Sequence, residues 1–548
     1  MKRLLLIPLV LMIFLSGLQA QIKIGPISIN HGQEIEEDKE KIIVIAGEAN
    51  DRIYTLATKG KNYFIKVFSS AEMELLSVNE VVLDEFNGKD VEFDDIQVLN
   101  DKIYVLGSVF DKSDDTNNLF GFEVSKEGKL TGAKKNLFST EVTKKREQGA
   151  FYFKKSPEGN LLLILHASLF DKEELIQYEI KLIDENLNTV ASHLEQIPFT
   201  DRNDLEFSIT DFDVNVMGDI FLATNESYRD KDAKENIEKF EVHLFKAKNN
   251  YKKEIVKIDF TNKEVINCEL MATRDGLVNL VGFYSGVRNN GRPNKELEGV
   301  YAAVINSNTN EVNNLKFTEF DMDTKIKLLG ERRAKKGKDV KPMYVTHSLI
   351  EKEDGGLILL SEYQQILVGR TSGIGPLGVT PVIYDNNEII VTSFNPDGSV
   401  KWTNVLAKDQ QAAFSTLSLG FYGFGGNANF TVGAGISIPI AVLSKGPEYL
   451  SAMPIYENGI LTVIFNDNQK NIGVTDIEEI KTLGNYNKAL PTAFQFDSNG
   501  SITRIDQENF EEGQLILRPR VFLRKNPKEY IIYSSRKSED RMGRMFID

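Results

Sequence analysis

The chain carries one cysteine, Cys268, in 548 residues, so no intramolecular disulfide forms and stability has to come from buried surface. Tryptophan is equally scarce, and with Trp402 alone the chain has little of the indole surface on which sugars stack. The five histidines, His31, His166, His193, His243 and His347, show none of the spacings that put two metal ligands on one face, and each reads as a satisfied strand or surface residue. Positive charge is the minority sign: 65 Lys and Arg stand against 80 Asp and Glu, a net of -15 that repels nucleic acid and anionic lipid. Long apolar runs are missing too. The one candidate, residues 4–15, is well short of the roughly 20 residues a bilayer span needs.

That run follows Lys2 and Arg3 and precedes Ser16, Gly17 and Ala20, the order of a secretory signal cut before Gln21. Residues 1–20 are therefore expected to be removed, which takes away two positive charges and no acid and moves the net charge from -15 to -17. A lipid anchor would need cysteine at the cleavage point, and Cys268 lies far downstream. The mature chain, 21–548, is expected to be exported to the periplasm, the outer-membrane surface or the medium, without a transmembrane helix.

One short pattern, a turn residue followed by an apolar strand-type run, recurs eight times. Its apolar runs begin at Ile53, Ile103, Leu161, Ile220, Leu277, Leu357, Ile460 and Tyr530, spacings of 50, 58, 59, 57, 80, 103 and 70. No Pro- or Ser-rich linker separates the copies. Each copy is surrounded by three further strand candidates; in the second unit the four are residues 93–99, 102–109, 120–125 and 130–138. Four strands per unit is a propeller blade. Tight turns such as Asn395-Pro-Asp-Gly398 and Asp497-Ser-Asn-Gly500 join third to fourth strands, with glycine supplying the positive φ. Immunoglobulin-like sandwiches need about 100 residues a unit, longer than the period. The chain is therefore read as all-β, a single β-propeller of about eight four-stranded blades, with seven as the alternative. The eighth unit lacks a fourth strand, and residues 22–29, ahead of a charged linker, are expected to supply it and close the ring.

The turn motifs Asn395-Pro-Asp-Gly-Ser-Val-Lys-Trp402 and Phe465-Asn-Asp-Asn-Gln-Lys-Asn471 resemble those of exported, functionally uncharacterised β-propeller-like proteins of Gram-negative bacteria. The resemblance implies a fold and an envelope location, and transfers no catalytic residue.

In a four-stranded blade the connections after strands two and four leave by one face. Three insertions, 321–341, 363–385 and 408–450, all fall there by this count, so functional residues are expected on that face. In 408–450 every even position from Phe430 to Val442 is apolar or Ala, with Ile436 and Ile438 among them, and Leu417, Leu419 and Phe421 alternate before a glycine-rich turn containing Phe424. This predicts a long hairpin whose apolar face either packs on the propeller, shielding its channel, or docks a partner or membrane surface. Residues 321–341 read as one helix capped by Asp321 or Asp323 with a basic end, Arg332, Arg333, Lys335, Lys336, Lys338 and Lys341: a solvated face, or a site for an acidic partner.

Chemical motifs are sparse. Gly373-Ile-Gly375-Pro-Leu-Gly378 matches a dinucleotide loop only literally, with Pro376 inside it and no βαβ context. Asp111, Ser113, Asp115 and Asn117 imitate the start of a calcium loop, but Thr116 and Phe122 occupy the positions of its Gly and Glu. No other cofactor is expected. These readings favour a non-enzymatic binding or scaffold propeller of the cell envelope that holds a protein partner, with peripheral membrane contact through the hairpin a further option. The alternative is a propeller hydrolase or lyase with carboxylates at the central channel.

Overall fold

A computed structural model describes residues 22–35, 40–142, 144–170, 175–198, 206–229, 236–260, 262–288, 294–370, 379–417, 430–432, 446–511 and 513–548. Its strands fall into eight antiparallel sheets in chain order, and each of the eight recurring patterns forms the second strand of one sheet. In blade 2 the strands are Glu92–Leu99, Lys102–Asp111, Thr116–Val124 and Leu130–Glu141, paired in that order. The seven-blade alternative is excluded by the count of sheets.

Apolar residues on both faces of the middle strands make each blade pack against two neighbours. Eight buried clusters result, one per seam. For example, Tyr54, Val67, Val98 and Phe122 join blades 1 and 2, and Ile42, Ile53, Ile531 and Tyr533 join blade 8 to blade 1. The last seam shows that the ring is closed, and polar links reinforce it. Lys41 of blade 1 pairs with Asp540 of blade 8 at 2.7 Å.

The tight-turn face shows how the repeat writes these seams. In Asp51-Arg-Ile-Tyr and Asp101-Lys-Ile-Tyr the tyrosine hydroxyl donates to a carbonyl in the third turn of the next blade: Tyr54 to Lys126 O at 3.1 Å, Tyr104 to Glu185 O at 2.9 Å. Trp402 does the same from blade 6. Its indole N–H donates to Ser498 O at 3.2 Å, and its ring covers Gly500, whose φ of 83° and lack of a Cβ let the two approach. Trp402 is thus a seam residue.

The N-terminal segment closes the last blade as expected, with two differences. The pairing strand is Ile27–Glu34, lying antiparallel to Glu539–Ile547 and running into the residues read as linker. Residues 22–29 are not one strand: Gly25 at φ 54° turns the chain, and Ile22–Ile24 folds back on Ile27–Glu34 as a fifth, outermost strand. Ile22, Ile24, Ile27 and Ile29 are all buried against blades 7 and 8. Residues 1–21, including the expected signal, lie outside the described residues.

Candidate functional site

Of the insertions expected on one face, 363–385 and the start of 408–450 belong to the sheet of blade 6. Insertion 363–385 is less a loop than an overgrown hairpin: Leu357–Val368 and Val379–Phe394 keep pairing beyond the blade as far as Val368 opposite Val382. Insertion 408–450 begins with Gln410–Leu417, which adds to the outgrowth by pairing with Val379–Phe394. The hairpin expected between the runs 417–421 and 430–442 lies largely outside the described residues, and of its second run only Phe430–Val432 is described. Phe430–Val432 lies parallel to Phe207–Ile209 in the innermost strand of blade 4, two blades away from blade 6. An innermost strand is a sheet edge with open backbone groups, which attracts such pairing. Phe421, Phe424, Ile436, Ile438 and the glycine motif 373–378 lie outside the described residues.

Insertion 321–341 is not one helix. Asp321 caps α1, Met322–Leu329, accepting from Thr324 N at 2.7 Å, but Gly330 at φ 78° breaks the chain before a single turn, α2, Glu331–Ala334. The basic end is therefore largely non-helical. Arg332, Arg333, Lys335 and Lys336 are all exposed, and Lys335 pairs with Glu331 at 2.5 Å. Leu328 and Leu329 anchor the unit on the seam of blades 5 and 6, so the basic group and Phe430 are held over different blades.

Within the channel, the open edge of blade 5 is satisfied by side chains of blade 4. Asp211 and Asp213, two apart on one strand, accept from Leu270 N at 2.8 Å and Ala272 N at 3.1 Å, also two apart. Glu269 lies beside Asp211; burial first, and the Asp211 carboxylate second, hold its carboxyl up at about 8. Burial pulls the nearby Lys154 ammonium down, but Asp211, Asp213 and Glu269 outweigh it and leave it above the ordinary lysine value. Three blades thus bring three acids and one lysine together on one wall, and burial raises the Asp211 and Asp213 carboxyls as well.

Across the channel, where blades 6, 7 and 8 meet, lies a second polar group that sequence reading missed. Glu362 is fully buried; its Oε2 accepts from Gln364 at 2.7 Å, Asn386 at 3.0 Å and Ser451 at 2.9 Å. Lys408 Nζ, also fully buried, stands 3.0 Å from Oε1, and Arg520 lies 3.7 Å from Oε2. Burial pushes the Glu362 carboxyl up, yet Lys408, His347 and Arg520 outweigh that and hold it at about 2. The network continues through Gln410 and Asn466, which donates to Leu517 O at 2.8 Å, and so ties the root of the insertion to three blades. The signal available in sequence was Glu362 at the end of the apolar run Leu357-Ile-Leu-Leu; its partners are too remote in the chain to infer.

All five histidines sit in strands. His243 accepts from or donates to Tyr178 at 2.9 Å across the seam of blades 3 and 4, and His166 faces Gln148 O at 2.8 Å. Asp111 accepts from Lys89 at 2.6 Å, Asn87 at 2.6 Å and Ser113 at 2.5 Å, and Asn117 donates to Gln148 O at 2.8 Å; Asp115 is exposed at the turn. An ammonium thus already faces the Asp111 carboxylate. Among the described residues no three His, Cys, Asp or Glu side chains are placed to hold a metal ion, and no helix is long and apolar enough to cross a membrane.

The sheet order defines the class of protein, a β-propeller. No family model matches the sequence, and comparison with curated proteins gives no match. Among solved structures, the chain is similar to the Dos1 propeller, at 10% identity and TM-score 0.40 over 94% of both chains. It is also similar to the polysaccharide lyase Uly1, at 9% and 0.33 over 85% of this chain and 94% of that one, and to the propeller domain of the Trilobed protease from Pyrococcus furiosus, at 6% and 0.31 over 69% and 95%. Likeness this distant carries no functional argument.

Proposed function

We propose that this is an exported, non-enzymatic propeller of the bacterial cell envelope that holds a protein partner on its insertion-bearing face. The observation that carries the reading is the shape of that face: blade 6 grows a three-stranded outgrowth, and the chain that leaves it pairs again on blade 4, two blades away. Such additions cost ordering entropy without completing any blade, which is the pattern of loops kept for contact rather than for the core. Cleavage of residues 1–20 and a periplasmic or surface location belong to the same proposal.

The test uses the full mature chain and a variant in which Ala412 is joined directly to Gly446, residues that adjoin, a Cβ on Gly446 falling 3.3 Å from that of Ala412. Lys408, Gln410 and Ser451 stay in place, so the variant keeps its buried network. Capture from native envelope extract of a partner that the variant loses, at an unchanged melting temperature, supports the reading; identical recovery by both proteins overturns it.

The Asp211, Glu269 and Lys154 group favours a second reading, a channel hydrolase or lyase using Glu269 as general acid. Against it, the Asp211 and Asp213 oxygens are committed to backbone N–H groups of blade 5. Turnover of polysaccharide or peptide substrates lost in Glu269→Gln would favour it.

A further inference from the structure

The cations of insertion 321–341 lose their simplest explanation in the structure. Basic residues at the end of one long helix would answer its dipole. Gly330, at φ 78°, instead ends α1 at Leu329, with Lys327 as the one basic residue in its last turn. α2 is a single turn, too short to sum a dipole that six basic residues would complement. From Glu331 to Lys341 six of eleven residues are Lys or Arg and two are acids, in a chain whose 80 acids outnumber its 65 bases. Like charges this close repel one another, so the stretch costs the free protein stability.

Neither acid neutralises the group. Glu331 pairs with Lys335 at 2.5 Å, and Asp339 is engaged by Lys325 of α1 at 3.3 Å and by the Asn294 amide at 3.3 Å. Arg332, Arg333, Lys336, Lys338 and Lys341 are all exposed, and among the described residues none of their side chains holds an ion pair or a hydrogen bond. The backbone that carries them is nevertheless fixed. Leu328 and Leu329 seat one end in the seam of blades 5 and 6, and Lys327 Nζ donates to Asn404 of blade 6's outer strand at 2.7 Å. In the stretch itself Ala334 is 1% exposed and Val340 2%. Val340 and Leu297 of blade 5 exchange two backbone hydrogen bonds, at 2.7 and 3.1 Å, which holds the other end. The cations are thus displayed on an anchored loop, whose backbone needs little further ordering when something binds.

We propose that residues 332–341 form a docking surface for a short acidic segment of a protein partner, with Arg332, Arg333, Lys336 and Lys338 as the cations that meet its carboxylates. Guanidinium groups take carboxylates in a paired fork and ammonium groups take them as point charges, so the set suits a run of Asp and Glu. A membrane surface or a nucleic-acid duplex would also set its extended charge against the acidic body around the stretch, within the ~10 Å over which charges act at 0.1 M salt. A segment of a few residues meets the cations alone. The inference deepens the partner-binding reading and rests on it, naming the chemistry by which the partner is recognised.

A fluorescein-labelled hexaglutamate peptide serves as the probe, titrated with the full mature protein and followed by anisotropy at about 0.05 M salt. We expect saturable binding with a dissociation constant of order 100 μM, weakened at least about tenfold at about 0.5 M salt. Arg332→Gln, Arg333→Gln, Lys336→Gln and Lys338→Gln in one chain should weaken it at least about tenfold at an unchanged melting temperature, since all four side chains are exposed. Lys126→Gln with Lys129→Gln, at the third turn of blade 2, is expected to change nothing. Absence of saturable hexaglutamate binding, equal binding by wild type and the fourfold variant, or binding to phosphatidylglycerol vesicles without binding to hexaglutamate overturns the proposal. Hexaglutamate binding lost in the fourfold variant, with no partner recovered from envelope extract, upholds the surface and removes the partner reading. A captured partner that the fourfold variant retains in full upholds the partner reading and overturns the surface.

Discussion

Replacing Glu269 by Gln should stabilise this propeller in alkali and do nothing in acid. Glu269 is partly buried in the channel wall beside the Asp211 carboxylate, and its carboxyl is held from an ordinary 4.5 up at about 8, by burial first and Asp211 second. The folded chain therefore binds this proton more tightly than the unfolded chain, so folding stability is greatest below pH ~4.5 and is lost as pH rises through about 8. At ~1.4 kcal/mol per pH unit the full span corresponds to ~5 kcal/mol. Solvent screening at the channel and relaxation on ionisation reduce this, by roughly half, to ~2–3 kcal/mol. Gln keeps the hydrogen-bonding capacity of the protonated acid without the charge. Denaturant unfolding of wild type and Glu269→Gln from pH 4.5 to 9 should give a stability difference near zero at the acid end that grows to ~2–3 kcal/mol at pH 9, with a melting-temperature gain of roughly 2–3 °C for a chain this long. A difference independent of pH, or a variant less stable at pH 9, would refute the proton-sharing arrangement.

Other outcomes follow from the closure, the buried pair and the indole seam. Ile27→Ala removes a side chain 1% exposed between blades 7 and 8 and should cost ~2–5 kcal/mol, and deleting residues 22–34 should raise hydrogen exchange throughout Glu539–Ile547; unchanged protection there would mean that the strand does not close the ring. Lys408→Met strands the Glu362 carboxylate and should cost ~3–5 kcal/mol in chemical denaturation, part of which Glu362→Gln in the same chain restores. Trp402→Ala should cost ~3 kcal/mol, since its ring stacks on Phe496 at 5.8 Å. Gly500→Ala, whose new Cβ would meet the indole at 2.6 Å, should cost less in that background than alone, a coupling that a double-mutant cycle measures.

Much of the architecture was legible because it is local. A blade is four consecutive strands joined by short turns, so the eight runs from Ile53 to Tyr530, each bounded by turn residues, announced both the unit and its number. The missing fourth strand of the last unit likewise pointed to the N-terminus, since an open edge has to be covered by something. The helix broke at Gly330, which the basic composition around it masked, and residues 22–29 turned at Gly25 because the apolar residues on both sides of that glycine belong to two strands rather than one. The run from Phe430 was read against its neighbour in sequence, whereas its described part pairs with a strand more than 200 residues earlier, a choice that no local pattern encodes.

The sequence by itself determined the period, the number of blades and the means of ring closure, because alternation, turn chemistry and strand count act over a few residues. Only the tertiary structure decided which charges meet. Asp211, Glu269 and Lys154 come from three blades, and Glu362, Lys408 and Arg520 from segments that lie together because the ring closes. Their ionisation follows from burial and from neighbours distant in the chain, quantities that exist only once the blades are packed.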